Sequence, residues 1–192
     1  MPLKLITPPT SEPLSVADAK LHCRVDVVDD DLLISAWIKA ARRYIERVSN
    51  RALLTQTWEL WRDAWPVGDI DLWRSPLQSV TYVKYYDDND VESTLAASAY
   101  IVDTIEEPGR IVLKTGQTWP STTLRAANGV VVRFVAGWTV AGDVPEPIRQ
   151  AMYLLVANWN EHREAAALGA IPHEIAFSVG ALLNNERVFR FA

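Results

Sequence analysis

The sequence predicts an α+β protein in which N- and C-terminal helices pack as a helical bundle around an inserted, mostly antiparallel β-sheet region. Three observations carry this prediction. Apolar residues recur with a helical period over about residues 30–49 and again from residue 145 onward. Between these segments, over about 55–138, the period falls to two, and β-branched and aromatic residues dominate. The order helices, strands, helices suits an α+β domain better than an alternating one. A chain of 192 residues is sized for a single domain. By surface scaling it can bury about 70% of its unfolded surface without disulfides or metals. The expected division is an extended lead-in at 1–14, a helical core from 15–51 and 145–184, a β insertion at 55–138 and a tail at 185–192.

The lead-in holds Pro2, Pro8, Pro9 and Pro13 and reads as extended chain. Ser15-Val16-Ala17-Asp18 is a capping-box variant that opens a short helix over about 16–24, with Ala17, Leu21 and Val25 at i, i+4 spacing. Asp29, Asp30 and Asp31 place negative charge at the positive end of a second helix, over about 30–49. Its apolar stripe is Ile34, Trp37, Ile38, Ala41, Ile45 and Val48, while Ser35, Lys39, Arg42, Arg43 and Glu46 take the other side. Asn50 suits the left-handed conformation that closes such a helix.

Alternation at Thr57–Arg62 marks the first strand of the insertion. Further strands are expected at Ile70–Trp73, Ser79–Tyr86, Val91–Leu95, Tyr100–Asp103, Arg110–Lys114 and Val130–Ala136. Asp87-Asp88-Asn89-Asp90, Pro108-Gly109 and Asn128-Gly129 turn the chain between them. Pro145-Glu146-Pro147 starts the last long helix, lined by Ile148, Met152, Leu155 and Trp159 and stopped by Gly169 and Pro172. Ser178 is a candidate N-cap for a short helix reaching Leu183. An alternating tail, Arg187-Val188-Phe189-Arg190-Phe191-Ala192, ends the chain.

Composition narrows the function classes. Charged residues are 22% and hydrophobic ones 49%, values of a globular protein rather than a disordered one. No apolar run is long enough to span a bilayer and no secretory signal core opens the chain, so no membrane partner is expected. The net charge of -5 disfavours a dedicated binder of nucleic-acid backbone. A single cysteine, Cys23, removes any internal disulfide and any Cys-rich zinc module, and fits a reducing cytoplasm.

No catalytic, cofactor or metal residue is expected. His173-Glu174 begins like a zinc-helix motif, but Phe177 stands where the second histidine would be. His162-Arg163-Glu164 lacks the cysteine pair of a zinc deaminase. No phosphate-binding glycine loop or nucleophile elbow occurs. Cys23 and His22 are adjacent and so point to different helix faces, which favours packing for Cys23. The Asp87–Asp90 run lacks the glycine and final glutamate of a calcium loop and reads as a solvated hairpin tip. The eight tryptophans could stack bases, but Trp58, Trp61 and Trp73 are interleaved with acids, so core packing is expected for most. Arg42, Arg43, Arg47 and Arg51 form a basic strip, either a solvated helix end or a contact for an acidic partner or DNA.

Several segments resemble one family. Pro13-Leu14-Ser15-Val16-Ala17-Asp18-Ala19-Lys20 with Leu21-His22-Cys23-Arg24-Val25-Asp26 is similar to the opening of head–tail connector proteins of tailed phages, prophages and phage-like gene transfer particles. Asp30-Asp31-Leu32-Leu33-Ile34, Asn50-Arg51-Ala52-Leu53, Thr55-Gln56-Thr57-Trp58 and Pro76-Leu77-Gln78-Ser79-Val80 follow in the family's order. So do Val144-Pro145-Glu146-Pro147-Ile148, Trp159 and the closing Arg187-Val188-Phe189-Arg190. Cys23 stands where the family more often has an aliphatic residue, and Asn50 where glycine is common.

The resemblance implies a non-enzymatic adaptor of the virion neck, made in the bacterial cytoplasm. About twelve copies would form a closed homo-oligomeric ring beneath the portal protein. DNA would pass through the lumen without specific binding, and a tail-side neck protein (a stopper or tail terminator) would dock below. Candidate subunit-interface residues are Trp73, Tyr82, Tyr85 and Trp119. The tail residues Arg187, Val188, Phe189, Arg190 and Phe191 are expected either to order only on the portal or to fold against their own subunit. The alternative function is a DNA-binding packaging accessory that uses the Arg42–Arg51 strip.

Overall fold

The computed structural model describes residues 2–163 and 173–189. It is α+β, with four helices and antiparallel sheets among the described residues. The chain divides into two compact units, Met1–Pro9 with Thr55–Gly137 and Thr10–Leu54 with Trp138–Ala192.

The first unit is built on a five-stranded antiparallel sheet. Its strands are β1 (Leu3–Thr7), β2 (Gln56–Arg62), β4 (Leu77–Tyr86), β5 (Glu92–Thr94) and β8 (Val130–Ala136), in the order β1-β2-β8-β4-β5. A second sheet of three strands holds β3 (Ile70–Leu72), β7 (Gly109–Leu113) and β6 (Tyr100–Asp103), in that order. Seven of these strands match the period-two segments of the sequence; β1 was expected only as extended lead-in. Pro2, Pro8 and Pro9 bracket it, and an edge strand tolerates such neighbours because only one side of it must pair.

β8 is the central strand, and its burial explains its composition. Val130, Val132, Phe134 and Ala136 are inaccessible to solvent, and Val131 is nearly so, while Arg133 and Val135 are half-buried. A strand covered this heavily reads as an apolar run with one polar interruption. Register places that interruption between partners, with Glu59 on β2 and Tyr82 on β4 both opposite Arg133. The Asp87–Asp90 segment is a hairpin tip, where the Asp87 carboxylate accepts from the Asn89 and Val91 amides at 2.9 and 2.8 Å.

The second unit contains α1 (Val16–Cys23), α2 (Asp31–Ser49), α3 (Glu146–Glu161) and α4 (His173–Leu183). α3 packs against the other three helices, and α1 also packs on α2. Ile34, Ile38, Ala41 and Ile45 of α2 meet Ile148, Met152, Leu155 and Val156 of α3 in one core. Ser15 caps α1, its hydroxyl accepting from the Asp18 amide at 3.0 Å and donating to the Asp18 carboxylate at 2.6 Å. Asn50 closes α2 at φ 58°.

Three helical details differ from the sequence expectation. The buried face of α1 is Ala19 with half-buried Val16 and Cys23, whereas Ala17 and Leu21 face solvent. A helix of eight residues holds two turns, too few for one spacing to exclude its neighbour. Ser178 lies inside α4 rather than before it, because its hydroxyl donates back to the Glu174 carbonyl at 3.0 Å and so satisfies itself within the helix. α3 closes at Glu161, with the His162 amide donating to Asn158 O; the expected stop at Gly169 and Pro172 lies outside the described residues.

Candidate interaction surfaces

The basic strip divides into two kinds of arginine. Arg42 is 5% exposed, with Nε donating to Glu12 at 2.7 Å and Nη1 to Glu46 at 2.9 Å. Glu46, itself buried, also accepts from the Leu53 amide at 3.1 Å. Burial works against the Arg42 cation, but the two carboxylates outweigh it and raise its pKa above the ordinary arginine value. Arg51 is buried as well; it donates to Glu186 O at 2.5 Å and lies over the Trp138 ring. Arg43 and Arg47 are exposed. The expected continuous strip is therefore corrected: Arg42, Glu46 and Arg51 are internal, because Glu12 and the Glu186 carbonyl come from distant sequence to meet them.

The four candidate interface aromatics occupy three places in the sheet unit. Tyr82 belongs to a network around Glu59, which is 5% exposed and accepts from Arg133 Nη2 at 2.6 Å, Tyr82 Oη at 3.0 Å and Trp61 Nε1 at 3.2 Å. Burial alone would raise the Glu59 carboxyl, but these donors, Arg133 first, hold its pKa below the ordinary value. Arg133 and Lys84 also lie over the Tyr82 ring, at 5.0 and 4.7 Å from its centroid. Tyr85 and Trp119 meet elsewhere, on Trp65. The Trp119 ring stacks on it at 4.8 Å, and Tyr85 meets its edge at 5.6 Å. Trp73 is half-buried just after β3. Of the eight tryptophans only Trp37 and Trp159 are buried, which corrects the expectation of core packing for most. The other six are half-buried, Trp138 among them packed against the helical core.

The tail is held as far as Val188. Its amide donates to Ser49 O at 2.9 Å, its carbonyl accepts from Asn50 Nδ2 at 3.0 Å, and its side chain is buried. That clasp revises the idea that the whole tail orders only on a partner. Arg187 is half-buried and Phe189 is exposed, while Arg190 and Phe191 lie outside the described residues.

Chemistry-bearing groups are dispersed. His22 stacks on Tyr153 at 4.9 Å, and Cys23 packs against the helical core. Burial, then Glu161, raises the Cys23 thiol pKa, which keeps the sulfur neutral. Among the described residues no three His, Cys, Asp or Glu side chains are placed to hold a metal ion. No described helix is long and apolar enough to cross a membrane. Two open grooves of about 330 and 340 Å³ flank Trp119 and Trp65. Aromatic edges, Asp69, and the Arg62 and Asp63 pair line them.

The comparisons give the family. Residues 13–107, just under half of the chain, match the family described as phage gp6-like head-tail connector protein. The resemblance read from the sequence is thereby borne out. One solved structure, described as the virion of a native gene transfer agent particle, is similar at 26% identity and a TM-score of 0.80. A second, the neck of an empty gene transfer agent particle computed with C6 symmetry, is similar at 27% identity and 0.80. A third, the neck of the native particle computed with C12 symmetry, gives 27% and 0.79. Each covers 100% of this chain and 98% of the chain it matches. No curated protein matches.

Proposed function

We propose that the protein is a structural adaptor subunit of the neck of a phage or phage-like particle. Copies of it form a ring, about twelve in number, that joins the portal to the tail and extends the DNA channel. The observation that carries this reading is likeness over the full chain to two structures described as gene transfer agent necks, each at 27% identity. The two units act together as one connector domain, with the helices serving as its bundle. Its work is geometric and it catalyses nothing: each subunit offers one surface to the portal and another to a stopper or tail terminator. Phe189 and the residues after it reach the portal, beyond the clasp at Val188. Trp73, Tyr82, Tyr85 and Trp119 remain candidates for contact with neighbours.

The DNA-binding alternative is weakened because Arg42 and Arg51 are committed to internal partners. The test is to delete the gene in a producing strain and image the particles. The reading expects filled or leaking heads without tails. Tailed, genome-retaining particles would overturn it.

A further inference from the structure

The exposed surface of α1 and α2 is uneven along its length. We infer that this unevenness is a subunit contact: the apolar, acidic corner between α1 and α2 of one copy docks head to tail on the basic stripe of α2 in the next. The inference rests on the ring reading and adds to it the surface through which neighbours meet.

The corner runs from the end of α1 through the 3-10 turn Val28–Asp30 into α2. Leu21 and Leu32 are 81% and 88% exposed, and Val27, Val28 and Leu33 are exposed beside them in the sequence. Single exposed leucines are ordinary, but five large apolar side chains within one helix–turn–helix corner are not. Two of the corner's carboxylates are already used, Asp30 by Arg163 at 2.8 Å and Asp31 by Lys20 at 2.7 Å. Asp26 and Asp29 are exposed and have no ion-pair partner among the described residues.

The complementary charge lies further along α2. Lys39, Arg43 and Arg47 are exposed, four residues apart and therefore on one stripe. None of them has an acidic partner among the described residues. The helical rise puts Lys39, the nearest of the three, about 10 Å along the axis from Leu32, and Arg43 and Arg47 about 16 and 22 Å, so that screening leaves little attraction within one copy. Acidic corner and basic stripe therefore cannot satisfy each other internally, but they can between copies. Two different, mutually complementary patches on one chain are what a heterologous contact needs, and its repetition closes a ring when the rotation allows. An apolar centre with charges around it is also ordinary interface anatomy.

The test uses the full chain in producing cells that carry no other copy. One variant combines Arg43→Glu with Arg47→Glu, a second combines Asp26→Arg with Asp29→Arg, and a third carries all four changes. Circular dichroism melts of the purified variants should fall by no more than a few degrees, because none of the four side chains has an ion-pair partner among the described residues and only the helix-end charges at Asp29 and Arg47 are lost. The readout is the amount of this chain per portal in purified particles. Each two-site reversal should lower it about tenfold or more, since like charges would then face each other, and the four-site variant should recover to within about threefold. Unaltered incorporation of either two-site variant overturns the inference, as does a four-site variant no better than the worse pair. Loss of a DNA mobility shift with normal incorporation of the arginine variant also overturns it, assigning the stripe to DNA. A wild-type chain missing from the neck would instead overturn the ring reading.

Discussion

Removing the Arg42 guanidinium should destabilise the helical unit by about 3 kcal/mol. The figure follows from what Arg42→Met leaves behind. Glu46 stays 7% exposed and loses the Arg42 guanidinium from Oε2, a break that costs about 3–5 kcal/mol when both members are buried. Its other oxygen keeps the Leu53 amide at 3.1 Å, which argues for the low end. Glu12, with 19% of its side chain exposed, recovers part of its hydration and adds about 0.5 kcal/mol. Urea unfolding followed by far-UV circular dichroism reports the helices and should show a lower midpoint at an unchanged slope. Adding Glu46→Gln to Arg42→Met should return about half of the loss, because the buried charge is gone while a carbonyl still faces Leu53. A single-variant loss below about 1 kcal/mol, or a double variant weaker than the single, would refute the argument that breaking the buried Arg42–Glu46 pair dominates.

The Glu59 network gives a pH signature. Its folded pKa lies below the ordinary glutamate value of 4.5, so its stabilisation is complete above that value and is lost as pH falls through the lower folded one. Glu59→Gln should cost about 2 kcal/mol at neutral pH and flatten the acid limb of a stability–pH curve; an unchanged limb would exclude Glu59 as its source. Gly109→Ala should destabilise the sheet unit by about 1–3 kcal/mol, because a Cβ there would sit 2.5 Å from Leu77 Cβ; a neutral effect on thermal melting would show that Leu77 moves freely. Truncation before Phe189 should leave the melting midpoint intact and abolish portal binding in pull-downs. Truncation before Val188 should in addition cost about 3 kcal/mol, through the lost buried side chain and its two hydrogen bonds.

Legibility in the sequence followed the range of the interaction. Strands β2 to β8 and helix α2 were readable because alternation, helical period and turn residues act within a few positions. Asn50 was readable as a cap for the same reason. Arg42 and Glu46 were assigned to solvent because they are charged, and the carboxylate that draws Arg42 inside, Glu12, lies thirty positions upstream. β1 was hidden among prolines, since its partner β2 begins only after two helices. The Glu59, Arg133 and Tyr82 cluster needs strand register, which alternation alone does not set. The exposed corner at Leu21 and Leu32 was not legible: Leu21 stands at i, i+4 spacing with Ala17 and Val25, and a two-turn α1 does not show which of its faces is buried.

The interleaving of the two units along the chain bears on how the protein is made. Leu3 pairs with Leu60, Gln56 with Ala136, and the α2 core residues with those of α3. Neither unit is complete until the ribosome has emitted most of the polypeptide, so the usual N-terminal-first order of maturation is unavailable to it. Synthesis therefore holds both units open until late, and assembly-competent subunits arrive only after release, a built-in delay between translation and particle construction.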